Sequence, residues 1–373
     1  MKLKKPLLYA VIAGANALSL TAALALSLAG GAIARSQSYN YAAHKWDRDD
    51  RSTQVSCFFS EDAGFNTDGM YALRAKLQSE LTAAVNAPDG KLPKTADAYS
   101  TPIGSGNVTC DSTGKGEADI TAVGGDFFLF RDFKLLSGAY FTDNDIMQDG
   151  AVIERSLAYS LYSSSNVAGQ LIYINDVQFY IAAVIDDPSD KYEKRTIDEK
   201  PRVYVSYKGA ESLPQVQYTA DGYSKNGDAP QKLTKITCYE CIMFDPVENF
   251  TYNTVKKHFK ESFGGSNYAV VNNTERFKPS KMIKAYRKRA DLAVRKDTLV
   301  YPYWENASRI AEFKLAPIYF LRTFCFVLPV VTAVWLIWKG ARLLKRSGRK
   351  LVSALAEAYK KALYRRRQKK DNI

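Results

Sequence analysis

Residues 122–187 read AVGGDFFLFRDFKLLSGAYFTDNDIMQDGAVIERSLAYSLYSSSNVAGQLIYINDVQFYIAAVIDD. Aromatic and apolar blocks alternate here with glycine punctuation, the pattern of short elements joined by tight turns. No side chain in the run proposes a reaction. Its glycines and aromatics read as turns and core of a compact lobe, so a functional surface is expected on the lobe's exterior or where it meets its neighbours. Asp143, Asp145 and Asp149 before Gly150 have a loose likeness to a calcium loop, but the twelfth-position acid would be Glu154 and position 147 is Met. Thr142 as a helix N-cap, with acids in the first turn, accounts for the same residues.

Segments of similar order bracket this run. Before it, QVSCFFS (54–60) reads as a strand, and 68–86 as a helix with Leu73, Leu77, Leu81 and Val85 on one face, ended by Pro88-Asp89-Gly90. Residues 119–123 are the best strand candidate in the extended stretch that follows. After it, LTKITCYECIMF (233–244) reads as a strand, 247–263 as a helix carrying Phe250, Val255, Phe259 and Phe263, and NYAVVN (267–272) as another strand. The expected fold is an α+β domain of two lobes, in which strand-helix-strand units pair into one layer and flank a central mixed α/β lobe. Residues 206–232, rich in Gly, Pro, Ser and charge, read as an exposed loop. Residues 277–297, with Met282, Tyr286 and Leu292, read as a basic helix with a solvated face.

An uncharged run at 6–34 is longer than the roughly 20 residues a membrane helix needs. A cleaved secretory signal ending at Ala32-Ile33-Ala34 is the alternative, but its apolar region would span only about 7–15 residues, so an uncleaved anchor is expected. A second span reads at 315–338, interrupted by Arg322, whose stem can reach the interface, with Tyr319, Trp335 and Trp338 as belt aromatics. Of the net charge of +13, residues 339–373 carry +11 and Lys2, Lys4 and Lys5 carry +3, which leaves the rest of the chain at −1. Basicity confined to the ends argues against nucleic acid. It places both termini on the cytoplasmic side by the positive-inside rule, with 35–314 extracytoplasmic. The tail, with Leu344, Leu351, Leu355, Tyr359 and Leu363 at helical spacing, fits either a helix on the anionic inner leaflet or a plain stop-transfer extension.

The two histidines, His44 and His258, cannot build a metal site, and Thr113-Gly114-Lys115-Gly116 lacks the spacing of a phosphate-binding loop. No cofactor, metal or catalytic residue is expected, and the chain is not itself an ATPase. Cys238-Tyr239-Glu240-Cys241 is a CxxC inside a strand rather than at a helix N-terminus, where a thiolate would be stabilised. The extracytoplasmic cysteines Cys57, Cys110, Cys238 and Cys241 allow three disulfide pairings, a Cys57 to Cys110 bridge among them. Tyr301-Pro302-Tyr303-Trp304-Glu305-Asn306, just before the second span, suits both partner binding and packing against the base of the ectodomain.

The central run resembles the MacB-type periplasmic core domain of ABC transporter permeases. The likeness rests on Gly124-Gly125-Asp126-Phe127-Phe128, on Leu135 to Gly138 and on Phe141 to Asp145. It continues through Val152-Ile153-Glu154, read with Leu157-Ala158 as one helix, Val167 to Gln170 with Gly169, and Phe179 to Val184. Cys238-Tyr239-Glu240 and Tyr301 to Asn306 are similar to the Gram-positive variants of this domain. The resemblance implies an ectodomain of two lobes between a first and second span, coupling a cytoplasmic ATPase on another chain to peptides, lipoproteins, other cargo or cell-wall enzymes outside. This sequence departs from the pattern at Ala139, where the family often has Arg, and at Ala183-Val184, where it has Gly-Val. The usual permease carries two further spans after the second, so these are expected from other permease subunits. The alternative expectation is a stand-alone cell-surface binding or sensing module.

Overall fold

The computed structural model describes residues 5–47, 51–85, 92–197, 200–213, 216–219, 222–225, 235–264, 267–287 and 298–370. In chain order, helix α1 (Lys5–Ser36) is followed by α2 (Ala42–Trp46), strand β1 (Ser52–Phe59), α3 (Thr67–Ala84) and the long strand β2 (Ala96–Thr109). Next come β3 (Lys115–Gly125), β4 (Leu135–Gly138), β5 (Gly150–Glu154), α4 (Arg155–Tyr162), β6 (Leu171–Ile174), β7 (Val177–Ile185) and β8 (Arg202–Ser206). The antiparallel hairpin β9 (Val216–Thr219) and β10 (Gly222–Lys225) precedes β11 (Cys238–Phe244), α5 (Phe250–Phe263) and β12 (Tyr268–Asn272). The last helices are α6 (Asn273–Arg276), α7 (Pro279–Arg287) and α8 (Tyr303–Lys370). The chain divides into two compact units, Gly31–Pro317 and the pair of segments Met1–Gly30 with Ile318–Ile373.

In the first of these units, two strand-helix-strand segments interleave, and the second strand of the earlier one is β2 rather than the expected 119–123, which fall in β3. Strand order β12-β1-β11-β2 places β11 between β1 and β2, with antiparallel neighbours throughout, the split arrangement of a ferredoxin-like layer. Asn66 caps α3 by accepting from Gly69 N at 2.9 Å. Met70, Leu73, Leu77 and Leu81 of α3 and Val255 and Phe259 of α5 are buried against the sheet, whereas Val85 already has extended backbone beyond the helix. Phe65 stacks on Phe59 with ring centroids 4.2 Å apart, and Phe259 meets both edge-on.

The second lobe grows from the same sheet. Strand β2 pairs with β3, β3 with β8, β8 with β5, β5 with β7, and β7 with β6, and β6 returns to β2 through Val108↔Ile174 and Thr109↔Tyr173. Six strands therefore close into a ring, which β2 can join at both ends because its register with β3 shifts between Pro102 and Gly104. Val108, Ile120, Ile153, Ile172, Ile181 and Val203 fill it, with Leu157, Ala158 and Leu161 of α4 packed against them. Helix α4 is the crossover of the parallel pair β5 and β7. Residues 151–154, read with the helix in the sequence, form strand β5; alternate inward burial against β7 and β8 overrides the helical spacing. Thr142 caps no helix either, since 139–149 is turn and irregular backbone in which Asp145 accepts from Thr142 N and Oγ1.

The segment read as loop 206–232 contains buried Tyr207, Ala210 and Leu213 and the hairpin β9–β10. Lys2, Lys4, Pro88-Asp89-Gly90, Leu233 and Leu292 lie outside the described residues.

In the second unit, α1 and α8 meet along small and polar side chains. Ala23 and Gly30 are buried, Ser19 Oγ donates to the Cys325 carbonyl at 2.5 Å, and Thr332 Oγ1 donates to Asn16 Oδ1 at 2.7 Å. Close contact at small residues and interhelical hydrogen bonds hold helices together where lipid replaces water. Two helices, Pro6–Ser36 and Tyr303–Lys345, are long and apolar enough to cross a membrane, and the mixed α/β domain lies between them in the chain.

Gly138 has φ +78, and a Cβ there would overlap the Ala182 carbonyl oxygen, whereas Gly169 has φ +87 with open space around it. Gly169→Ala is expected to cost only backbone strain, about 1–2 kcal/mol, and Gly138→Ala about 2–4 kcal/mol because strain and overlap add. Denaturant unfolding of the two full-length variants in mild detergent checks the order.

Candidate functional site

Tyr301 to Asn306 opens helix α8. Pro302 supplies no N–H, and its carbonyl accepts from Glu305 N and Asn306 N at 3.0 and 3.1 Å, while Asn306 Nδ2 donates to the Tyr301 carbonyl at 3.1 Å. This turn holds four side chains in fixed directions, and each of the four meets an arginine. The Arg309 guanidinium lies 3.7 Å from the Tyr301 ring centroid, Arg202 3.9 Å from Tyr303, and Arg131 3.9 Å from Trp304. Glu305 accepts from Arg276 Nη1 and Nη2 at 2.5 and 2.9 Å and from Arg309 Nε at 3.0 Å.

Strand alternation brings Arg202 and Glu240 to this place, while Arg131 comes from the stretch after β3 and Arg276 from α6. On β8, Arg202 and Tyr204 share one face while Val203 and Val205 enter the main core. Arg202 donates from Nε to Glu154 Oε1 at 2.6 Å and from Nη1 to Glu193 at 3.1 Å, and Tyr204 exchanges a hydrogen bond with Tyr303 at 2.8 Å. On β11, Cys238, Glu240 and Ile242 turn toward Trp304, and Tyr239, Cys241 and Met243 toward α3 and α5. Glu240 pairs with Arg131 and accepts from Ser56 Oγ at 2.8 Å, which in turn accepts from Asn273 Nδ2 at 2.6 Å. Arg276 reaches Glu312 at 2.9 Å and Asn40 at 3.4 Å besides Glu305.

Arg131, Arg276 and Glu240 have side chains at most 3 % exposed. Burial pulls the pKa of Arg131 and Arg276 down, but the adjacent carboxylates outweigh it and hold both above the ordinary arginine value. Burial raises the Tyr204 and Tyr303 phenols, which stay neutral. Glu193 and Arg202 also border a cavity of about 530 Å³, which Tyr39, Asp132 and Asp190 help to line. Chemically it is a fixed joint: the start of α8 is tied through Arg131 to the stretch after β3 and to β11, through Arg202 to the ring, and through Arg276 to α6.

The sequence-derived residues divide accordingly. Phe127, Phe128, Phe141, Glu154, Glu240 and Tyr301 to Glu305 gather at the joint; Phe127 lies beneath Arg131 at 4.7 Å, and Phe128 stacks on Tyr140 at 4.5 Å and meets Phe141 edge-on. Tyr239, Asp126 and Gly124-Gly125 do not. Tyr239 and Asp126 border a cleft of about 380 Å³ between α3 and β11, where Tyr239 OH and Arg74 both donate to Asp97, while Gly125 N donates to Asp143 at 2.7 Å. Burial and the neighbouring Asp97 raise the Asp126 carboxyl. Gly169 and Gln170 serve a turn, with Gly169 N donating to the Ile181 carbonyl, and Gly138 ends strand β4 opposite Ala183. Asp145 organises the 142–148 turn.

Cys57, Cys110, Cys238 and Cys241 are free thiols. Cys238 and Cys241 fall on opposite faces of β11, so the CxxC spacing cannot close a bridge, and burial pushes the Cys57, Cys238 and Cys241 thiols up, away from thiolate chemistry. The arginines themselves were missed in the sequence, although Arg131 in FFLFRDF and Arg202 in RVYVS stand out as charges inside apolar runs.

Arg131→Met strands the buried Glu240 charge and is expected to cost about 3–5 kcal/mol, with much of the loss recovered in Arg131→Met/Glu240→Met. The exposed pair Lys45–Asp132 should give about 1 kcal/mol or less. Denaturant unfolding of Arg131→Met, Arg131→Met/Glu240→Met and Lys45→Met compares them.

The MacB-like periplasmic core domain matches residues 17–235, more than half of the 373. Among solved structures, the chain is similar to the periplasmic region of MacB from Actinobacillus actinomycetemcomitans, with 14% identity, 59% of this chain and 88% of that one covered, and TM-score 0.38. It is also similar to the extracellular domain of the noncanonic ABC-type transporter YknZ from Gram-positive bacteria, with 10% identity, 59% and 100% covered, and TM-score 0.36. No curated protein matches. With a match over residues 17–235, the chain belongs to the family of MacB-like periplasmic core domains.

Proposed function

We propose that this protein is the membrane-anchored, extracytoplasmic component of an ABC export or mechanotransmission system. It catalyses no reaction itself. An ATPase on another chain, with further permease subunits, supplies the work, and this domain passes it to cargo or an envelope protein. Both termini are cytoplasmic, and the basic tail rests on anionic inner-leaflet lipid. Family membership and the two apolar helices flanking the domain support this reading, as does the concentration of positive charge at the two ends.

The observation that carries the proposal is the arginine joint. A displacement at the start of α8 must either break buried ion pairs or move both lobes, because Arg131, Arg202 and Arg276 bind that turn to separate parts of the domain. Buried ion pairs resist partial opening, since a charge left without its partner is costly.

Purification of the full-length protein in mild detergent is expected to recover an ABC ATPase. Repeated recovery of no ABC subunit overturns the proposal. In intact cells, a tag at either terminus should be shielded from added protease, while a cleavage site inserted beside exposed Met147 should be cut.

A further inference from the structure

Arg322 stands seven residues inside the apolar run that begins at Leu315, about 10 Å along the helix. Its Nε is buried without a hydrogen-bond partner, and among the described residues no acid pairs with its guanidinium. The guanidinium carbon lies 5.1 Å from the Tyr319 ring centroid and 6.0 Å from that of Phe326, one turn to either side. The guanidinium thus lies alongside the helix between the rings one turn before and one turn after it. The spans contain no carboxylate to meet it, since 6–34 and 315–338 carry neither Asp nor Glu. A second copy of the chain could supply none in its spans either.

Charges in such a position face a bundle interior and pair with one another or with carbonyls. Beside Arg322 the exposed apolar side chains of Leu321, Phe324 and Phe326 offer a surface that another helix can cover. We propose that Arg322 is an intramembrane docking point for a transmembrane helix of a second protein, one that carries an Asp or Glu at the same depth. The carboxylate accepts from the guanidinium, and the apolar side chains around the pair exclude lipid. The inference requires only that the chain crosses a membrane, so it stands apart from the ABC reading.

Photoreactive benzoylphenylalanine in place of Phe326, irradiated in intact membranes containing the full-length protein, tests it. The expected product is a cross-link to an apolar membrane segment bearing Asp or Glu, identified by mass spectrometry. Arg322→Leu should reduce its yield about tenfold or more without lowering the melting temperature of the protein. Arg322→Glu, combined with Arg at the identified acid, should restore it. Cross-linking to lipid alone, to a segment without an acid, or to nothing overturns the inference, as does an undiminished yield with Arg322→Leu. Recovery of an ABC ATPase alongside any of those results leaves the proposed function standing.

Discussion

A guanidinium taken out of water must bring its counter-charge with it, and this domain buries three of them around one turn of chain. Arg131 requires Glu240, Arg202 requires Glu154 and Glu193, and Arg276 requires Glu305 and Glu312. Such pairs add little net stability over well-packed apolar groups. Their effect is positional: any arrangement that shifts the start of α8 against β11, β8 or α6 leaves a buried ion unpaired. The aromatic rings of Tyr303 and Trp304 complete the enclosure by offering π faces to the same cations.

The local elements were readable from the sequence because their physics is local. The apolar stripe of α3 and the alternation in β1 and β11 identify elements and faces with no knowledge of the partner strands. That the two strand-helix-strand units share one layer was expected from their repeated order, whereas the insertion of β11 between β1 and β2 was not. The ring was hidden because its closure depends on one strand, β2, serving two neighbours along different parts of its length, with a register shift between Pro102 and Gly104. Residues 151–154 satisfy helical spacing and strand alternation equally over so short a run, and only their pairing with β7 and β8 decides.

The joint was half legible. Aromatics before a membrane-length apolar run look the same whether they anchor in an interface or pack inward. What distinguishes the two is a set of arginines from an irregular stretch, a strand and a helix earlier in the chain, which only the fold brings together. Glu240 and Tyr239 were grouped together by adjacency, and the pleat separates them: one balances Arg131, the other donates to Asp97. The family match ends at residue 235, so Arg131, Arg202, Glu154 and Glu193 lie inside it and Glu240, Arg276 and Glu305 beyond it.

Strand β11 lies between β1 and β2, yet it follows β2 by well over a hundred residues. During synthesis the first two strands of the layer exist with no direct pairing to each other, while the six-stranded ring has all of its own strands in hand. The ring can therefore be complete while its neighbour waits, and β1 remains an unpaired edge until residue 238 and those after it arrive. Assembly of this domain has a built-in order: the inserted lobe is first, and the layer holding the chain's earliest strand is last.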